Sequence, residues 1–248
     1  MRISKNQKNY IPLIIPVDKP FERLSKSEAK AYFDWFIGHV DERSEYIRQK
    51  VSKDLNISVE LIDFSFESLI YIWRWFLNIV ELNRTPKIAL DIIRNELKAN
   101  GEKKEFIDDI VRENSVELSV FSRYVIRDIG MYIGKMFVTN HSTLRWDYHT
   151  DRKKDSFANI PQVFGFVNTA YYPPFEEQFE PIHYTEMQAS NLFDNSQNEN
   201  DLYNMCLNWA KRIPIQKIEI IFIIYSLYLI YINIRYIDRY LKQILSIR

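Results

Sequence analysis

Apolar positions recur every three or four residues through most of the first 140 positions and then change to alternation. That pattern predicts a run of helices followed by a small sheet. The first helix is announced by Ser25-Lys-Ser-Glu28, a capping box in which the serine hydroxyl accepts from the Glu28 amide and the glutamate reaches back. Ala29, Tyr32, Phe33, Phe36, Ile37 and Val40, continued by Ile47 and Val51, fall on one stripe of it. A second helix begins after Asp63-Phe-Ser65. Its face carries Leu69, Ile72, Trp73, Phe76, Ile79 and Val80, and Ile70 and Trp75 widen the arc. A helix this apolar belongs at the centre of a fold, and Pro86 stops it. Residues 87–112 read as one or two shorter helices with Gly101 as a stop signal. A third long helix, from about residue 115 to 139, is carried by Leu118, Phe121, Val125, Ile129, Tyr132 and Met136.

In Thr143-Leu-Arg-Trp-Asp-Tyr-His149 the period becomes two, as a half-buried strand requires. Gln162–Asn168 is a second strand, expected to pair with the first as an antiparallel hairpin with a long connection. The charged Asp151-Arg-Lys-Lys-Asp155 reads as a solvated turn within that connection. Residues 169–200, rich in proline, glutamate, asparagine and aromatics, read as irregular, and Leu202 to Arg212 as a short helix closed by Pro214. The expected fold is α+β and predominantly helical, a helix cluster packed on a small antiparallel hairpin or sheet. Its expected organisation is an N-terminal arm over 1–20, one domain over 21–212, and an apolar, basic C-terminal helix over 213–248.

Composition narrows the classes. A lone cysteine, Cys206, excludes an intramolecular disulfide framework and a multi-cysteine zinc site. Thirty-three basic and thirty-three acidic residues give no global pull toward nucleic acid or acidic lipid. The charge is unevenly placed, however. Beyond Trp209 there are seven basic and two acidic residues, which leaves the body at −5. Ile220 to Ile234 is an uncharged run of fifteen residues, short of the about 18–20 that a membrane span needs. It reads as a buried or partner-facing helix, with a C-terminal membrane anchor and a strand as competing readings. The polar N-terminus and the prolines at 12 and 16 leave no secretory core segment, so a reducing cytoplasm is the expected compartment.

Candidate chemistry is sparse. Gly130 and Gly134 lie inside the apolar period of the third helix, which points to close packing; a phosphate loop needs its glycines ahead of the helix. Asp128 sits beside the same stripe. A buried carboxylate needs a partner, and Arg145 on the following strand is the expected one. His39, His141, His149 and His183 have no zinc-helix spacing. Asp147 and His149 share a strand face that reads as the wet side of the hairpin, so no metal or cofactor is assigned. Cys206 reads as a small buried hydrophobe, and there is no serine-nucleophile elbow. Glu96-Leu-Lys98 lies in helical periodicity and not in a nuclease core. Arg145, Arg152, Lys153 and Lys154, interleaved with Trp146 and Tyr148, are diluted by Asp147, Asp151 and Asp155, so nucleic acid is not an expected partner. The run Tyr171-Tyr-Pro-Pro-Phe-Glu-Glu-Gln-Phe-Glu180 has aromatic anchors framed by carboxylates, which suits a loop meeting a basic protein. The competing reading tucks those rings over the hairpin.

Three stretches carry a resemblance: Leu24 to Phe36, Asp63 to Leu69 leading to Trp73-Arg-Trp-Phe76, and Asp128-Ile-Gly-Met-Tyr-Ile-Gly134 leading to Leu144-Arg-Trp146. In order and spacing the chain resembles a family of uncharacterised bacterial cytoplasmic proteins, some of them reminiscent of toxin-immunity proteins, over roughly residues 20–212. The resemblance implies an intracellular bacterial α+β protein and no reaction, and it carries over no functional residue.

The function expected is that of a non-enzymatic protein-binding module, an immunity-type inhibitor of a cytoplasmic partner. Its contact region joins Arg145, Asp147 and His149 to Tyr171, Tyr172, Phe175, Glu176 and Glu177. Two other classes compete with it. One is an enzyme with a non-linear site around Asp128, Arg145, Asp147 and His149; the other is a membrane-tethered accessory protein held by residues 220–234.

Overall fold

Helix α1, Lys26–Leu55, starts at the capping box that the sequence announces: Ser25 accepts from the Glu28 amide, and Glu28 accepts from the Ser25 amide at 2.8 Å. It ends where Asn56 turns into the left-handed region at φ 54°, a conformation asparagine tolerates. The stripe of Ala29, Tyr32, Phe36, Val40, Ile47 and Val51 is buried. Ile37, expected on that stripe, is exposed, and Arg43 and Ser44 are buried in line with it. The computed structural model describes residues 10–151, 157–193 and 196–214. Most of the expected 151–155 turn, the expected C-terminal helix beyond Pro214 and the first nine residues of the arm lie outside that set.

Helix α2, Ser68–Ile79, begins two residues past the expected start just after Ser65, where the Ser65 hydroxyl accepts from the Ser68 amide and closes the preceding turn. Trp73, Trp75, Phe76, Leu69 and Ile72 are all buried, so this short helix is central as expected. Helices α3, Lys87–Ala99, and α4, Lys104–Glu113, form a helical hairpin around Gly101.

Residues 116–118, expected to open the third long helix, are instead strand β2, Val116–Leu118. It pairs antiparallel with β1, Leu82–Arg84, in the register Leu82↔Leu118. Helix α5, Val120–Asn140, starts only after Ser119, whose hydroxyl accepts from the Ser122 amide. A serine so placed favours capping over continuing a helix. Thirteen of the 21 residues of α5 are buried, so the core is built around it.

The second sheet has the order β3-β4-β5, with both pairings antiparallel: Arg145–Asp147, Gln162–Asn168 and Phe175–Phe179. The first two strands are those expected. The third corrects the reading of residues 169–200 as irregular, since that stretch also contains helix α6, Pro181–Ser190. Consecutive glutamates hide the alternation of β5, yet Phe179 is fully buried. Glu180 then caps α6 by accepting from the Ile182 and His183 amides, with Pro181 in the first turn. Helix α7, Asp201–Ala210, completes the order.

Val163, Phe166 and Phe179 on the inner face of the sheet meet α5 and α7. Phe137 lies 5.3 Å from Phe166 and Trp209 lies 4.8 Å from Phe179, ring centre to ring centre. Gly130 and Gly134 permit the approach: a Cβ on Gly130 would lie 2.6 Å from the side chain of Ile182, and one on Gly134 would enter the ring of Trp146. Gly165, at φ 106°, occupies the irregularity between Val163 and Phe166 that bends β4 over the core. The result is a predominantly helical α+β fold of seven α-helices and two small antiparallel sheets among the described residues. None of the described helices is long and apolar enough to cross a membrane.

Candidate functional site

Two-residue spacing on β3 puts Arg145 and Asp147 on one face. The registers Arg145↔Phe164 and Val167↔Glu176 then carry Glu176 toward them across β4. Arg145 Nε lies 3.6 Å from Asp147 Oδ2, and its Nη1 lies 3.4 Å from Glu176 Oε1. The guanidinium also lies over the Phe164 ring at 5.6 Å. The outer face of the sheet therefore presents a mixed-charge network of exposed groups resting on one aromatic ring. Exposed pairs of this kind contribute about 0–1 kcal/mol to folding, so they leave their charges available to a partner at little cost to the fold.

Glu177 plays a different part. It accepts from Asn168 Nδ2 at 2.5 Å and pairs with Arg212. The carbonyl of Arg212 accepts from the Val167 amide at 2.7 Å, and its guanidinium covers Trp209 at 4.5 Å. Glu177 thus ties the chain after α7 to the β4–β5 hairpin, and sequence reasoning had placed it on the contact surface only.

At the end of that hairpin, Asn168 Oδ1 accepts from the Ala170 amide at 3.0 Å and starts the turn. Three rings project from it: Tyr171 is 63% exposed, Tyr172 98% and Phe175 47%. Tyr171 and Phe175 lie 5.5 Å apart, ring centre to ring centre. These three rings therefore do not fold over the hairpin, whereas the remaining ring of the run, Phe179, is buried in the core as the competing reading has it. The expectation of a loop from Tyr171 to Glu180 is also corrected, because its second half is β5. His149 lies past β3 and is partly buried; its carbonyl accepts from the Asn159 amide at 2.7 Å, closing the connection to β4.

Asp128 requires the plainest correction. It is fully buried, as expected of a residue beside the stripe, but its cation is Arg43 of α1 and not Arg145. Arg43 Nε donates to Oδ1 at 3.1 Å and Nη2 to Oδ2, while the Tyr10 hydroxyl donates to the same Oδ2. Trp146 of β3 packs at Gly134, well along α5 from Asp128, and Arg145 points to the exposed face. Burial pushes the Asp128 carboxyl up, and the Arg43 and Tyr10 donors draw it part of the way back. The cluster also holds the N-terminal segment. Arg43 Nη2 donates to the Ile11 carbonyl at 2.8 Å, the Ile11 amide donates to the Tyr46 hydroxyl at 2.8 Å, and Arg127 donates to the Leu13 carbonyl at 3.0 Å. Sequence reasoning missed Arg43; the available signal was a lone arginine on the apolar stripe between Val40 and Ile47.

The four groups of the enzyme reading accordingly do not share a site: Asp128 is locked in a core pair, whereas Arg145 and Asp147 face outward. Among the described residues no group of three or more His, Cys, Asp or Glu side chains is placed to hold a metal ion. The chain matches no protein-family model, and comparison with curated proteins and with solved structures finds no match.

Proposed function

We propose that this protein is a non-enzymatic binding module, an immunity-type inhibitor of a cytoplasmic protein partner. In this reading it meets its target with the outer face of the β3-β4-β5 sheet and the β4–β5 turn. The observation that carries the reading is the trio Tyr171, Tyr172 and Phe175, exposed together at one hairpin end beside Glu176. Aromatic side chains dominate binding energy when a partner desolvates them, and a tyrosine 98% exposed adds nothing to its own fold. The −5 charge of the body favours a basic target and speeds encounter with it.

The test is capture by the tagged full chain from a lysate of the source cells, with wild type beside Y172A/E176K. Wild type is expected to retain one partner in stoichiometric amount, and the variant to lose it while melting at the same temperature. Capture of no partner, or equal capture by the two proteins, refutes the reading.

A further inference from the structure

We infer that the outward face of α3 is a docking seam for a second copy of this chain, whose own α3 lies antiparallel along it. Helix α3 packs on α4 in the helical hairpin, yet none of its 13 residues is buried. Leu90, Ile93 and Leu97 are partly buried, on the side turned to the protein. At about 100° per residue, Ile88, Ile92, Asn95 and Ala99 fall on the opposite side. All four are exposed, Ile88 by 74% and Ile92 by 54%. Their steps of four, three and four residues are the a and d spacing of a coiled-coil seam. A surface helix ordinarily keeps its apolar residues on one stripe; α3 carries a second, left in water among the described residues.

The stripe complements itself, as a two-fold contact requires. In an antiparallel pair each a position faces a d position. With the axis midway between positions 93 and 94, Ile88 meets Ala99 of the second copy and Ile92 meets Asn95 of the second copy. The most exposed large side chain thus faces the smallest one. The two Asn95 amides lie on either side of the axis, within one helical turn of each other, where each can donate to the other. Charge matches in the same register. Asp91 and Lys98 flank the stripe on one side, and Asp91 of each copy comes within a turn of Lys98 of the other, so the opposite-charge pair forms twice. Asp91 already bonds Arg94 of its own helix at 3.1 Å through one carboxylate oxygen, and the second oxygen faces the incoming ammonium. A seam about 20 Å long and about 10 Å wide is smaller than the roughly 800 Å² per partner of a standard stable interface. The dimer is therefore weak and reversible.

Sedimentation equilibrium of the purified full chain, from about 10 μM to about 1 mM, covers the range in which so small a contact assembles. The average mass of wild type is expected to climb from 29.9 kDa toward twice that value and to level there, because a two-fold contact closes. I88K/I92K is expected to stay at 29.9 kDa with an unchanged melting temperature, since both positions are exposed. D91K is expected to weaken association by roughly fivefold or more, and D91K/K98D to restore it. Wild type that stays monomeric throughout gives the stripe to a different occupant and overturns the inference. Equal association of wild type and I88K/I92K puts the contact elsewhere, and growth past a dimer makes it open-ended; either result overturns it. If I88K/I92K melts early, the charge series decides: D91K as tight as wild type, or no recovery in D91K/K98D, overturns the seam. None of these residues belongs to the β3-β4-β5 sheet, so failure here leaves the partner reading standing, and failed partner capture leaves the seam standing.

Discussion

Replacing Arg43 by methionine keeps most of the side-chain volume on α1 but strands the Asp128 carboxylate in the core with only the Tyr10 hydroxyl as donor. Arg43 and Asp128 are 4% and 0% exposed, so water cannot take over the lost bonds without opening the packing of α1 on α5. Breaking a buried pair from one side costs about 3–5 kcal/mol. For a folded unit of this size each kcal/mol moves the melting temperature by about 2–4 °C, so R43M is expected to melt about 6–20 °C below wild type. The deficit has a pH signature. With the cation gone, burial holds the Asp128 carboxyl above its unfolded value, so the folded variant binds the extra proton. Its stability is then fullest below the unfolded carboxyl range and is lost as pH rises through the folded value. The gap between R43M and wild type should therefore narrow as pH falls toward about 4. The triple variant Y10F/R43M/D128L removes the charges and the orphaned hydroxyl together and should recover most of the loss, since a buried pair is often no better than its hydrophobic replacement. Urea titrations at several pH values measure all of this. A loss under about 1 kcal/mol in R43M at pH 7 would place Asp128 in water and refute the packing described.

Glu180 caps α6 while wholly buried, and burial pushes its carboxyl up to about 8. Its contribution is complete below the unfolded carboxyl value and is lost as pH rises through 8. Wild type should accordingly lose up to about 1.4 kcal/mol per pH unit across that window, and E180Q should flatten the profile; parallel profiles refute it. Gly134→Ala drives a methyl group into the Trp146 ring and should cost about 1–3 kcal/mol in urea titration, with wild-type stability as the contrary result. Cys206 is fully buried, and burial raises its thiol pKa. A thiol reagent should therefore label the native protein far more slowly than the urea-unfolded chain, and equal rates would show the site to be open.

Much of the fold was legible because its determinants are local. The Ser25–Glu28 box, the stripe from Ala29 to Val51, the break at Gly101 and the alternation in Gln162–Asn168 are each written within one segment, where a period of 3.6 or 2 and one capping side chain suffice. The strands that escaped notice were those whose stability comes from elsewhere. β2 exists because Leu118 finds Leu82, and β5 because Phe179 finds the ring cluster of Phe137 and Trp209. The candidate surface divides in the same way. That Arg145 and Asp147 share a face follows from spacing alone, and aromatic richness at 171–175 marks the turn. That the rings stand in water, and that Glu176 and Glu177 part to different neighbours, depends on the pairing of β4 with β5.

Asp128 shows the boundary most clearly. Burial beside the apolar stripe of its own helix was readable from residues on either side. Its partner was not, because Arg43 lies 85 positions away and is brought to it only by the crossing of α1 over α5. A chain's periodicity records which side of an element leaves water; which two elements then meet is settled by how all the leaving faces pack at once, and no single segment contains that information.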